Sequence, residues 1–312
     1  MAVDRLALGA FGLLTATSSV VAAARRGSAR SARRSGTAGN SLFPTHDGVV
    51  EYRYLRARGT ATATVVCENG LCAPLEGWDW LATELAGTCN VLVYHRAGYG
   101  ATRTRHEPGE IIEAILRERE ASDPRIVYVG HSLGGLIAVD AVTRFPWLRN
   151  RVRQLVLIDS TDAAELAVMF DSPERRGKVE QSFLLEYLGG ILGTLAIANP
   201  FLREVDYRAG VQRAFGDFSI DTRNIRNAQR ELRRYAASAD AATHPLPCRV
   251  QVVAAEYGPD GPDAHRRSQE SLAGRLGAPM SVVLGSAHRS IIGRQEHASQ
   301  VAALIRDGAR QS

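Results

Sequence analysis

From residue 48 onward the chain alternates short apolar runs with longer stretches of helical periodicity. Gly48 to Arg58 and Thr60 to Glu68 are rich in β-branched residues, and the second run ends at Asn69-Gly70, a turn signal. Asn90 to Tyr94, Arg125 to Val129 and Val152 to Ile158 are almost continuously apolar, as strands buried on both faces must be. Between them, Trp78 to Leu85, Ile111 to Glu120 and Gly135 to Arg144 carry helical spacing, the last stopping before Pro146. Strand–helix alternation of this kind predicts a mostly parallel sheet with helices on both faces, an α/β fold.

The alternation breaks over residues 161–245, where long helical stretches occur without a strand, and resumes with Cys248 to Ala254. A helix over Ala264 to Leu276, a strand over Met280 to Leu284 and a helix over Glu296 to Arg306 close the chain. The reading is a core built from residues 41–160 and 246–312 with a helical lid, 161–245, inserted between two core strands. Within the lid, Phe183 to Ala198 is strongly apolar and reads as a greasy wall over the site or as a helix packed within the lid. Arg223 to Arg234 reads as a solvated helix face.

Residues 1–40 fall outside this pattern. Residues 6–24 are apolar and uncharged and are followed by an Arg/Ser-rich run at 25–34. A signal peptide, a single membrane anchor and an organelle transit peptide all fit such a leader, as does a leader with no role. The expectation is therefore membrane association or export through residues 6–24, with a cytoplasmic location as the alternative.

Composition changes this picture little. With 45% hydrophobic and 23% charged residues, the 312-residue chain has the balance of a globular protein. The net charge of +5 is concentrated in Arg5, Arg25, Arg26, Arg30, Arg33 and Arg34, and no basic face is interleaved with aromatics. Nucleic acid is not an expected partner. Cys67, Cys72, Cys89 and Cys248 form no C-x-x-C pair and read as small apolar side chains, with a disulfide left open for an exported chain. No cofactor or metal is indicated.

The chemistry centres on Gly130-His131-Ser132-Leu133-Gly134-Gly135, which follows a buried strand directly and opens a helix. A G-x-S-x-G turn in that context raises the serine hydroxyl above the sheet edge, over the free N–H groups and positive end of the helix. Here the sequence resembles the α/β-hydrolase family over about residues 45 to 310. Glu68-Asn69-Gly70-Leu71 stands where that family has His-Gly-x, and His95-Arg96-Ala97-Gly98-Tyr99-Gly100 where it has Asp-x-x-Gly-x-Gly. Gly285-Ser286-Ala287-His288 follows the last strand, where the family places its histidine. Asn69 and His95 depart from the common residues at their positions.

A serine hydroxyl needs a neighbouring base, and of the eight histidines only His288 lies straight after the final strand at the carboxyl edge of the sheet. His131 is read as pointing away from the serine's face, and His265 as flanking the seventh strand. Two carboxylates compete as the acid. Asp159 ends Val152 to Ile158, whereas Asp260, with Asp263 nearby, lies in a loop read over Glu256 to Asp263. Gly258 occupies the offset at which an acid is usual, and Asp159 is favoured. The resemblance assigns the oxyanion hole to the backbone N–H groups of Leu133 and Leu71. It implies a serine hydrolase acting on an ester of an apolar or acyl-bearing small molecule. Thioester, amide and C–C hydrolysis, acyl transfer, and a non-catalytic ligand receptor on the same fold are the alternatives.

Overall fold

The computed structural model describes residues 27–28, 31–32, 34–119, 125–197, 199–237, 246–258 and 261–310. In chain order the elements are β1 (Ser41–Thr45), β2 (Gly48–Leu55), β3 (Thr64–Glu68), α1 (Asp79–Leu85), β4 (Asn90–Tyr94) and α2 (Pro108–Arg119). Then follow β5 (Ile126–His131), α3 (Leu133–Arg144), α4 (Pro146–Arg151) and β6 (Val152–Ile158). Five helices come next: α5 (Ala163–Asp171), α6 (Pro173–Leu192), α7 (Thr194–Ile197), α8 (Ala209–Ser219) and α9 (Thr222–Ala237). The chain closes with β7 (Arg249–Tyr257), α10 (Pro262–Leu276), β8 (Met280–Ala287), α11 (Ser290–Gly293) and α12 (Gln295–Arg310).

The eight strands form one sheet in the order β1-β2-β4-β3-β5-β6-β7-β8. β2 runs antiparallel to both β1 and β4, and every pairing from β4 onward to β8 is parallel. Period-two alternation sends successive side chains to opposite faces. Val65 and Cys67 join Val127, Val129, Val156 and Ile158 beneath α1 and α12. Val66, Tyr128, Leu155 and Leu157 pack instead against α2 and α3. Each fully buried aliphatic side chain contributes about 1.5–3 kcal/mol, so both faces must be covered for the sheet to exist at all.

Several expectations are corrected or refined in detail. β1 was not expected; its Pro44 cannot donate to a ladder, which suits the sheet's edge. The helix over Gly135 to Arg144 does stop before Pro146, and Pro146 then begins a separate helix, α4, where its missing N–H costs nothing. β7 continues three residues beyond Ala254, so Glu256 and Tyr257 are strand residues and not part of a loop. The apolar run from Phe183 is also divided: Gly193, with φ 82°, caps α6 and separates it from α7. All four cysteines are free thiols.

Helices α5 to α9 lie between β6 and β7 in sequence and rest on the carboxyl edge of the sheet. Leu166 and Tyr235 pack on Leu133, Leu136 and Ile137 of α3. Tyr207 donates from its hydroxyl to the Gly77 carbonyl at 2.9 Å. Among the described residues no single helix is long and apolar enough to cross a membrane, and residues 6–24 lie outside them.

Candidate active site

The sharp turn after β5 holds Ser132 at φ 55° and ψ −128°, a backbone region costly to a residue with a side chain. Neighbouring structure enforces it. The Ser132 N–H donates to Ile158 O at 3.0 Å, and Ser132 O accepts from Gly135 N and Thr161 N at 3.0 Å each. A Cβ on Gly130 would lie 2.4 Å from Gly134 O, and one on Gly134 2.3 Å from Glu68 O. Only glycines let strand, turn and helix approach so closely.

β8 and the turn after it deliver His288, whose Nε2 lies 3.1 Å from Ser132 Oγ. Its Nδ1 lies 2.5 Å from Asp159 Oδ2. Asp159 follows β6 directly, with φ 45° and its N–H bonded to Val253 O at 2.8 Å. The structure thus brings Ser132, His288 and Asp159 into one hydrogen-bonded line. Asp260 lies outside the described residues, and Asp263 is exposed in the first turn of α10.

Two histidines stand closer to this line than the sequence indicated. His265 places Nε2 2.6 Å from Asp159 Oδ1, the oxygen that also accepts the Ala255 N–H at 2.9 Å. A Cβ on Gly258 would fall 2.2 Å from His265 Cγ, so the glycine at the usual acid offset leaves the room this ring fills. Burial opposes ionisation of Asp159, but the bonds from His265 and His288 outweigh it and hold the carboxyl well below the usual range. The only sequence signal for His265 was its nearness to the end of β7.

His131 does not point away from the site. Its ring lies 4.8 Å, centroid to centroid, from that of His288, and its Nε2 is 2.7 Å from the His288 carbonyl, which therefore accepts a proton-bearing Nε2. Burial, reinforced by His288, lowers its pKa to about 3, and its Nδ1 is buried without a partner among the described residues.

The turn after β3 forms the other wall. A Cβ on Gly70 would lie 3.3 Å from Ser132 Cβ, so this backbone runs directly beside the serine. The N–H groups of Leu71 and Leu133 have no hydrogen-bond partner among the described residues. The turn is braced from beneath. Arg96 donates to Glu68 Oε1 at 2.8 Å, to Asn69 O at 2.5 Å and to Gly70 O at 3.2 Å, and its Nε donates to Glu231 Oε1 of α9 at 2.7 Å. Asn69 accepts from Trp78 Nε1 at 2.7 Å and donates to Tyr94 O at 2.6 Å. His95, on the departing position, is buried with Nδ1 3.0 Å from Glu51 Oε2.

A cavity of about 360 Å³ opens over Ser132 and His288. Leu71 and Trp78 border it from the core, and Phe183, Val205, Phe215 and Leu232 from the segment inserted between β6 and β7. Glu186 and Arg289 also reach it; burial pushes the Glu186 carboxyl upward.

A mostly parallel sheet with an eight-stranded order of this kind, carrying a serine on a strained strand–helix turn, defines an α/β hydrolase. The chain belongs to the alpha/beta hydrolase family, which it matches over residues 65–304. Among solved structures, a hydrolase from Pseudomonas aeruginosa PA01 is similar with a TM-score of 0.55 at 20% identity, covering 87% of this chain and 98% of its own. A thermophilic esterase from Thermogutta terrifontis is similar with a TM-score of 0.58 at 17% identity, covering 88% of this chain and 99% of its own. A membrane phospholipase A described as a bacterial virulence factor has a TM-score of 0.56 at 17% identity and covers 99% of this chain and 100% of its own. At these identities the likeness is one of fold. No curated protein matches the sequence.

Proposed function

We propose that the protein cleaves esters of apolar acyl groups through an acyl-serine intermediate. The observation that carries this reading is the line from Ser132 Oγ to His288 Nε2 at 3.1 Å and on from His288 Nδ1 to Asp159 Oδ2 at 2.5 Å. Ser132 Oγ attacks the ester carbonyl while His288 Nε2 takes its proton. Asp159 keeps Nδ1 protonated and steadies the imidazolium as it forms. The carbonyl oxygen, now negative, accepts from the Leu71 and Leu133 N–H groups, which have no other partner to give up. His288 returns the proton to the leaving alkoxide. Water, deprotonated by the same nitrogen, then releases the acid.

The apolar wall of Phe183, Val205, Phe215 and Leu232 supports an acyl chain as the group held, and supports reading residues 161–245 as a lid over the site. The hydrolase and esterase named among the similar structures fit this reading. The test is hydrolysis of p-nitrophenyl esters from acetate to decanoate. The parent chain is expected to turn them over, with kcat/KM rising by up to about fourfold per added methylene while the cavity fills, from about 0.8 kcal/mol per buried CH2. Ser132→Ala and His288→Ala are expected to lose at least about a thousandfold in kcat. Turnover undiminished in Ser132→Ala refutes the reading.

A further inference from the structure

The inserted helix α6 has two faces, and only one of them is accounted for. At 100° per residue, Val179, Ser182, Phe183 and Glu186 share the arc that borders the cavity over Ser132. On the opposite arc, spanning about 120°, lie Leu184, Leu185, Leu188, Ile191 and Leu192. Water-facing arcs of helices are ordinarily polar. These five side chains are instead 55%, 61%, 41%, 45% and 71% exposed, over the last two to three turns of the helix. Clustered apolar exposure of this kind marks a surface made to be covered.

What surrounds the patch selects the cover. Its flank is cationic. Tyr187 lies beside it with the Arg226 guanidinium 4.3 Å from its ring centre, and Arg230 is exposed one turn further along α9. Among the described residues neither arginine pairs with a carboxylate, in contrast to Arg233, which binds Glu180 at 2.5 Å. A second copy of the same chain would bring these like charges together. An anionic headgroup layer over an acyl interior answers both features at once, aliphatic side chains entering the layer and Tyr and Arg lying at its edge.

We infer that the outer face of α6 docks on an anionic phospholipid bilayer. That its substrates are acyl lipids taken from the bilayer rests on the hydrolase reading; the docking itself does not.

The full chain carrying Leu188→Trp tests this, read against the parent, which has three tryptophans. With vesicles of phosphatidylglycerol and phosphatidylcholine, the added emission is expected to shift to the blue and to be quenched by brominated acyl chains. Arg226→Gln with Arg230→Gln in the same background is expected to weaken vesicle partitioning by about tenfold or more. Emission unchanged by vesicles overturns the proposal, including when the chain sediments with them through another segment. Emission already blue-shifted in buffer also overturns it, showing the face covered by a second copy if the shift depends on protein concentration and by the chain's own segment if it does not. Equal quenching in purely neutral vesicles overturns the anionic selection. Because the readout is optical, a chain that docks but cleaves no ester refutes the hydrolase reading alone.

Discussion

Asp159 is the residue on which the site's geometry turns. Both of its oxygens are used: one faces His288, and the other is fixed by His265 and the Ala255 N–H. A carboxylate held on one side by two donors cannot rotate away from the imidazole on the other. His265→Ala is expected to lower kcat by about 10- to 100-fold, the loss of a hydrogen bond to a charged group worth about 1.5–3 kcal/mol. With one donor fewer, the carboxylate holds the imidazolium more tightly, so the acid limb of kcat/KM should move to higher pH. His265→Gln keeps an N–H near the same place and should restore both. A loss of kcat with an unmoved limb, and no rescue by Gln, would instead mark a packing role.

Ser132, His288 and Asp159 were legible as candidates, Asp159 with Asp260 as its alternative, because each follows the end of a strand, and strand ends show in a single sequence. His265 and His131 were not. Their positions depend on a vacancy at Gly258 and on where the turn after β8 folds back, and neither leaves a periodic trace in the sequence.

Between elements, the arrangement depends on Arg96. It is almost fully buried and joins the turn after β3, the core carboxylate Glu68 and helix α9 through Glu231. Glu68 is fully buried, and burial raises its pKa despite the opposing effect of Arg96. Removing the cation leaves that carboxylate and two carbonyls facing a cavity. Arg96→Ala is expected to cost about 3–5 kcal/mol in denaturant unfolding and to loosen the Leu71 turn, lowering kcat in whatever molecules stay folded. Loss below about 1 kcal/mol would show the network to be dispensable. The Arg-rich stretch 223–234 was expected to be a solvated face. It is one only in part, since Asn224, Ile225, Ala228 and Tyr235 of α9 are buried and Glu231 reaches the core. Helical periodicity shows that a helix has an inner face; it does not show which carboxylate meets which arginine across about 135 residues of chain.

At the scale of the whole molecule, the sheet and its two covering layers follow from the apolar runs, because a strand buried on both faces has few alternatives. Among the described residues between β6 and β7 the elements are helices, in keeping with the pattern of the sequence, but how they pack left no trace in it. Buried ionisable groups should make the fold acid-sensitive. His131 titrates at about 3 when folded and near 6.5 when unfolded, so between those values the unfolded chain binds the additional proton. Stability then falls as pH falls, by up to about 1.4 kcal/mol per pH unit, and this contribution levels off below about 3. Glu51, lowered to about 2 by its bonds to His95 and Asn40 against the cost of burial, adds a further loss below about pH 4. Urea unfolding from pH 7 to 4 should show this slope, and His131→Gln should flatten it.

The central claim is that the hydroxyl on the strained turn after β5 is the group that takes the acyl chain. Incubation of the full chain with a fluorophosphonate, followed by mass mapping of the peptides, addresses it directly. The expected result is one phosphonyl group per chain, on Ser132, with labelling lost in Ser132→Ala and slowed at least about a hundredfold in His288→Ala. A chain that resists the reagent, or one labelled at another residue, contradicts the assignment.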